Sequence, residues 1–276
     1  MQILFKAGVI CGCFFLLLTS AWAAPKADLW PRWQAHDPAS TQTVDHRAWD
    51  AFLAAYLVVD HPSGVNMVDY AGVTSEDRAA LQAYLDALQT TPVSERNRNE
   101  QMAYWINFYN ALTVAVILDH YPVDSIRRIN ISPGFFSRGP WDAPLAAVEG
   151  EPLTLNDMEH RILRPIWNDP RIHYAVNCAS IGCPDLQLQA YTSANLEIML
   201  ERAAREFVNH PRGVDAQGRR LRLSSIYDWF SEDFGRNEQE LLEHLTGYAD
   251  EPLASALRTY SGRISYHYDW DLNQAP

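Results

Sequence analysis

Residues 97–120, NRNEQMAYWINFYNALTVAVILDH, carry the longest helical pattern in the chain. In the second half, Ala111 to Leu118, apolar side chains fall on every side rather than along one stripe. A helix that is apolar all round presents no face to water and belongs in the middle of a domain. Pro122 stops it, because proline lacks the N–H that another turn would use. The flanking segments must then cover this helix. The economical architecture is a single compact mixed α/β domain, α+β-like, with a small sheet packed on a long buried central helix.

Upstream, Asp45 to Val59 has helical spacing, with Trp49, Phe52, Leu53 and Tyr56 on one face. His61-Pro62-Ser63-Gly64 breaks it, and Val65 to Tyr70 reads as a short strand. Ser75 is placed to cap a helix whose Leu81, Leu85 and Leu88 face inward. Downstream come a short turn of helix at Asp124 to Ile129 and a Gly/Pro-rich loop, Asn130 to Pro144. Ala147 to Leu155 then reads as a hairpin turning at Glu149-Gly150-Glu151, and Asn156 to Trp167 as a short helix. Arg171 to Asn177, β-branched and aromatic, is predicted to be a strand. An amphipathic helix over Ser193 to Asn209 and a hairpin over Val214 to Leu223 come next. Helices follow over Ser225 to Phe234, Asn237 to Tyr248 and Pro252 to Tyr260, then a closing aromatic strand over Arg263 to Asp271. With no repeat and no linker, residues 45–276 are expected to form one domain behind a partly ordered leader, 24–44.

Residues 1–23 have the form of a cleaved secretory signal. Lys6 lies ahead of an uncharged apolar run, Ala7 to Leu18, and Ala21-Trp22-Ala23 offers the small-x-small cleavage site. The run falls short of the roughly 20 residues that a span needs, so no stable membrane span is expected after cleavage. The expected location is the periplasm or the exterior of a bacterial cell. The formal charge of the chain is −12, and removal of Lys6 makes it more negative. With no basic stripe, nucleic acid and anionic membrane are excluded as partners. Lys26 is the only other lysine, which excludes Schiff-base and lysine-base chemistry. No cofactor is called for.

Asn107 and Asn110 stand three residues apart on the central helix, on a face continued by Ala111, Val114 and Leu118. Two amides on an apolar stripe must be hydrogen-bonded. They either tie the helix to neighbouring backbone, or orient a catalytic histidine or supply an oxyanion donor. In Leu153 to His160, α-helical spacing sets Glu159 and His160 about 100° apart. His160 is a core or capping residue or the base of a site. Glu159 fits the third position of a helix capped by Asn156. No second histidine follows at the spacing of a zinc-protease helix, since position 164 is Arg164.

The remaining chemistry sits in His173-Tyr-Ala-Val-Asn-Cys178-Ala-Ser-Ile-Gly-Cys183-Pro184, which holds the two cysteines kept after export. On a strand, His173 and Asn177 share one face and Cys178 the other, so His173 points away from the thiol unless the strand bends or ends first. A base would otherwise come from His160 or His267. The pair has four readings: a disulfide, a nucleophile at Cys178, a metal site with His160 or His173, or a redox pair. Oxidising surroundings favour the disulfide. A second well-spaced ligand pair for a metal is absent, so no metal ligands are assigned. Cys-x-x-Cys is the usual redox spacing, and this gap is longer.

Tyr104 to Ala111, Leu153 to His160 and Asp169 to Pro184 together resemble the family catalogued as domain of unknown function 547, over about Asp45 to Asn273. The resemblance is specific as to family and implies no activity. The residues themselves lead to one functional expectation, a cysteine-dependent hydrolase or acyl-transfer site acting on a peptide or amide. Cys178 would be the nucleophile, His160 or His173 the base and Asn107 its orienter. Glu159 belongs to the same set, Asn110 is a binding residue, and amides near Asn177 and Ser180 would form the oxyanion hole. The alternatives are a non-catalytic binding or scaffold domain with a Cys178–Cys183 disulfide, and a His/Cys metal site.

Overall fold

The computed structural model describes residues 24–134, 138–217 and 220–276; the expected signal, 1–23, lies outside the described residues. The elements in chain order are α1 (Arg47–Tyr56), β1 (Leu57–Val58), β2 (Met67–Val68), α2 (Ser75–Gln89) and α3 (Arg98–His120). After them come β3 (Ala146–Val148), β4 (Glu151–Leu153) and α4 (Leu196–Asn209). The chain closes with β5 (Val214–Gln217), β6 (Arg220–Ser224), α5 (Glu238–Tyr248), α6 (Leu253–Arg258) and β7 (Ile264–His267). β1–β2 and β3–β4 are two-stranded antiparallel pairs; β5 pairs antiparallel with β6, which pairs parallel with β7. This is the mixed α/β single domain expected, with more helix and smaller sheets than the word sheet implied. No helix among the described residues is long and apolar enough to cross a membrane.

α3 is the central buried helix. Asn97 caps it by accepting the Glu100 N–H at 3.0 Å, and every side chain from Glu100 to Val114 is buried. α1, α2, both two-stranded pairs and the leader residue Trp33 close around it. α2 starts one residue earlier than expected in its capping, with Thr74 accepting the Asp77 N–H. A second core forms on the three-stranded sheet, where α4 contributes Phe207 and Val208 against Leu221, Leu223 and Tyr227.

The two α3 amides act as brackets. Asn107 donates to the Tyr191 carbonyl at 2.7 Å and accepts the Tyr191 N–H at 2.9 Å. Asn110 donates to the Ala175 carbonyl at 2.9 Å and accepts the Asn177 N–H at 2.8 Å. The backbone-tying role is realised at both; among the described residues the Asn107 amide bonds to the Tyr191 backbone and to no histidine. These brackets hold both ends of the irregular run from Ala175 to Tyr191, which contains the cysteines.

Two local expectations fail. Residues Ile172–Ala175 form one helical turn, not a strand. Asp169-Pro170 sets up a turn in which the His173 and Tyr174 N–H groups bond back to Pro170 and Arg171, so the strand-parity argument for His173 does not apply. The helix after β4 is capped by Thr154, not Asn156. Thr154 Oγ1 accepts the Asp157 N–H, and Asp157 accepts the Thr154 N–H, in a reciprocal capping box. Glu159 is thereby free of the capping role.

Residues Asp157–Leu163 then widen into a π-helix, in which the Arg164 N–H donates to Glu159 O, five residues back. That shift deprives His160 O of its usual donor. Pro165, with no N–H, deprives Arg161 O of its own. The leader supplies both, through Asp28 N–H to His160 O at 2.9 Å and Trp30 N–H to Arg161 O at 3.0 Å. Trp30 also stacks on the Arg161 guanidinium at 4.4 Å. Asp28, Trp30 and the buried Trp33 thus fasten the leader to the domain.

Asn110→Ala would strand the Ala175 carbonyl and the Asn177 N–H in the core. We expect a loss of about 2–4 kcal/mol in urea unfolding, one to two times the cost of an unmade buried bond. A loss below 1 kcal/mol would mean that the loop is held by other contacts.

Candidate functional site

The chain leaves α3's bracket at Asn177 and turns at Ala179, which adopts the left-handed conformation at φ 59°. Asn177 clamps the turn by accepting the Ala179 N–H and donating to the Pro184 carbonyl, at 2.8 and 2.7 Å. The outer side of the loop lies on the C-terminal segment: Ile181 and Gly182 donate to the Asp271 and Asp269 carbonyls, both at 2.8 Å. Only glycine fits at 182, because a Cβ there would lie 2.8 Å from the Asp269 N and O.

This folding brings four side chains to one point. The Tyr268 hydroxyl lies 3.1 Å from Cys178 Sγ, 3.0 Å from Cys183 Sγ and 2.9 Å from Ser180 Oγ. Ser180 Oγ is 3.3 Å from Cys178 Sγ and donates to Cys183 Sγ at 3.5 Å; the Cys178 N–H donates to Cys183 Sγ at 3.0 Å. Both cysteines are free thiols, Cys183 buried and Cys178 partly exposed. Burial pushes the Cys183 thiol up, but donors from Cys178, Ser180, Tyr268 and the Cys178 backbone outweigh it and hold Cys183 below the usual thiol range. Cys178 is pushed up by its bond to Cys183 and by burial. Burial and the two thiols keep Tyr268 protonated, hence a donor.

Among the described residues, neither sulfur has a histidine within hydrogen-bonding distance. The N–H groups of Asn177, Cys178, Ala179, Ile181, Gly182 and Cys183 all donate within the protein. His267 donates from Nδ1 to the Leu223 carbonyl at 3.0 Å, and the residue that reaches the thiols is its neighbour Tyr268.

His160, His173 and Glu159 converge elsewhere. In the π turn the Glu159 and His160 heads do not diverge: Glu159 Oε1 is 4.0 Å from His160 Nδ1 and 3.6 Å from His173 Nδ1. His173 Nε2 lies 2.6 Å from Asp233 Oδ2, which also accepts from Arg164 Nε at 2.6 Å. Phe230 stacks on His173 at 4.3 Å. Arg164 donates to the Pro25 carbonyl at 2.7 Å and to His160 Nδ1 at 3.1 Å. A guanidinium only donates, so His160 Nδ1 is the acceptor and its proton sits on Nε2. Burial raises the pKa of the Tyr109 hydroxyl of α3, with further upward contributions from Glu159 and from both thiols. Among the described residues no group of three or more His, Cys, Asp or Glu side chains is arranged to hold a metal ion.

Sequence reasoning missed Tyr268, Arg164 and Asp233. Tyr268 was legible only as one aromatic in an alternating strand, and Asp233 as one acid among several in Ser225 to Phe234. His244, read as a surface residue, is half-buried and lies 2.9 Å from the Tyr174 hydroxyl.

The fold and site define a mixed α/β protein with a hydroxyl-bound dithiol beside a separate buried His/carboxylate network. The family model described as "Protein of unknown function, DUF547" matches residues 93–208. The resemblance read from the sequence holds over that central part, shorter than the 45–273 expected, and the part contains every candidate residue predicted from sequence except His267. Tyr268 and Asp233 lie outside it. No curated protein and no solved structure matches the chain.

The buried network ties stability to pH. Burial lowers His160 to about 4, so below the ordinary histidine value the unfolded chain takes a proton that the folded protein refuses. Burial opposes ionisation of Glu159 and Asp233, yet His160, His173 and Arg164 hold Glu159 at about 2, and His173 and Arg164 hold Asp233 at about 2. Their stabilisation is present above the ordinary carboxylate range and is lost as pH falls towards 2. Every sign agrees: stability falls on acidification, first through the histidine between pH 6.5 and 4, by on the order of 2 kcal/mol. His160→Gln, which keeps an acceptor for Arg164, should flatten that limb of the unfolding free energy against pH.

Proposed function

We propose that this exported protein is a thiol catalyst whose reacting pair is Cys178 and Cys183, and that its reaction is thiol–disulfide exchange with a disulfide-bearing substrate. One observation carries the reading: a single hydroxyl, Tyr268, binds both sulfurs at 3.0–3.1 Å while Cys183 collects the donors that stabilise a thiolate. Cys183 is then the base that the histidines do not provide. The Cys178 S–H passes its proton to the Cys183 thiolate, and the accessible Cys178 thiolate attacks one sulfur of the substrate disulfide. A mixed disulfide forms and the other substrate sulfur leaves as a thiolate, which takes the proton back from Cys183. Cys183 then attacks Cys178 Sγ, releasing the second substrate sulfur as a thiolate and leaving Cys178–Cys183 bridged. Two electrons pass from the protein dithiol to the substrate, and the reverse sequence oxidises a substrate dithiol.

The hydrolase or acyl-transfer reading keeps two supports, that Cys178 is the less buried of the two cysteines and that it has Cys183 as a base. It requires a peptide or amide carbonyl in place of the disulfide and only one reacting sulfur. The scaffold reading requires a bridge that stays closed.

Reduced protein treated with 4,4′-dithiodipyridine should lose both thiols and become lighter by two hydrogens, and dithiothreitol should restore it without unfolding. Cys183→Ser should slow the reaction of Cys178 at neutral pH by about tenfold, and Tyr268→Phe by less, because each removes support for the thiolate. Undiminished Cys178 reactivity in Cys183→Ser would replace exchange by the single-nucleophile reading. A bridge that resists reduction in the folded protein would leave the scaffold.

A further inference from the structure

The segment that carries Tyr268 into the thiol cluster also forms the floor of an open cleft of about 680 Å³. Trp270 lines it together with Arg127, Arg128, Arg138 and Asn130. The ring of Trp270 lies 4.6 Å from that of Tyr268, and Trp229 packs on both, at 5.5 and 4.7 Å. The next residue, Asp271, accepts the Ile181 N–H of the cysteine loop at 2.8 Å. Cleft and thiols are therefore joined through one short stretch of chain whose Tyr268 and Trp270 rings pack together.

The charges in the cleft run against the rest of the molecule. In a chain of net charge −12, most arginines elsewhere are matched to carboxylates, as Arg164 is to Asp233, Arg171 to Asp169 and Arg212 to Asp185; among the described residues outside the cleft, Arg96, Arg98, Arg220 and Arg263 are scattered exceptions. Among the described residues, Arg127 and Arg138 have no carboxylate partner. The Arg127 guanidinium is laid over Trp270 at 5.1 Å, which fixes its plane and leaves it unpaired. Arg128 has only Asp124, at 3.9 Å and largely in solvent. With Asp124 and Asp271 on the rim, the lining still carries an excess positive charge. Planar forks beside an indole face suit a carboxylate on a flat or aromatic group.

We infer that this cleft anchors the substrate of the thiol site through a carboxylate, so that the protein selects acidic disulfides. The inference rests on the exchange reading above and names the chemistry of its substrate.

Two measurements on the full chain separate the failures. The first compares the rates at which the reduced protein consumes 5,5′-dithiobis(2-nitrobenzoate), an aromatic disulfide with two carboxylates, and the neutral 4,4′-dithiodipyridine. Arg127→Gln and Arg138→Gln should each slow the anionic reagent about threefold to fivefold, the worth of a part-exposed ion pair, and leave the neutral one unchanged. The second is calorimetric titration with isophthalate, an aromatic dicarboxylate with no sulfur, whose binding should weaken by a similar factor in each variant. Isophthalate binding that depends on these arginines, with thiols inert to both reagents, would uphold the carboxylate anchor and remove the exchange reading. Equal effects of the substitutions on both reagents, or no arginine-dependent isophthalate binding, would overturn the inference.

Discussion

An amide buried where water cannot reach must find both a donor and an acceptor, and α3 carries two such amides one turn apart. Asn107 and Asn110 satisfy themselves on the peptide groups of Tyr191 and of Ala175 and Asn177. Between those anchor points the chain has little regular structure, yet it holds the thiols in one arrangement. The rigidity of the cysteine loop is borrowed from a helix to which it is not adjacent in sequence. Asn177 repeats the device within the loop, closing it on Ala179 and Pro184. Three asparagines convert one buried cylinder into a mount for an irregular segment.

The thiol cluster and the His/carboxylate network solve opposite electrostatic problems. Around Cys183 the stabilising groups are neutral donors, two hydroxyls, a thiol and a peptide N–H, so negative charge on sulfur is spread over dipoles. Around His173 and His160 the groups are themselves ionised, and Arg164, Glu159 and Asp233 neutralise one another in a space closed by Phe230 and the leader. A closed ionic network resists rearrangement, whereas a hydroxyl that can rotate from one sulfur to the other does not. That contrast supports placing the chemistry at the thiols and the anchoring role at the histidines.

The central helix was legible because its apolar residues cover every side, which only burial explains, and the requirement that Asn107 and Asn110 be bonded followed at once. Their partners were not legible, since a hydrogen bond to a peptide group leaves no trace in the partner's side chain. The strand expected at Arg171 to Asn177 failed because β-branched and aromatic residues there were read by propensity, while Asp169-Pro170 starts a turn that decides the conformation. His160 and Glu159 were expected to diverge because α-helical spacing was assumed; the π turn depends on which carbonyls find donors outside the helix. Tyr268 and Asp233 were hidden for a different reason, sequence distance: nothing in a single chain marks residues 60 to 90 positions apart as neighbours.

The pairing of the leader with the π turn bears on the order in which the molecule is completed. Asp28 and Trp30 have no strand or helix of their own, and their partners are two carbonyls that exist as acceptors only once residues 157–165 have coiled into the wider turn. Pro25 waits for Arg164, whose own position depends on Asp233. The first described residues to emerge during synthesis are therefore fastened by residues some 130 to 140 positions later, a contact of high sequence separation that is slow to form. Until the π turn has been made, the leader remains an unattached tether.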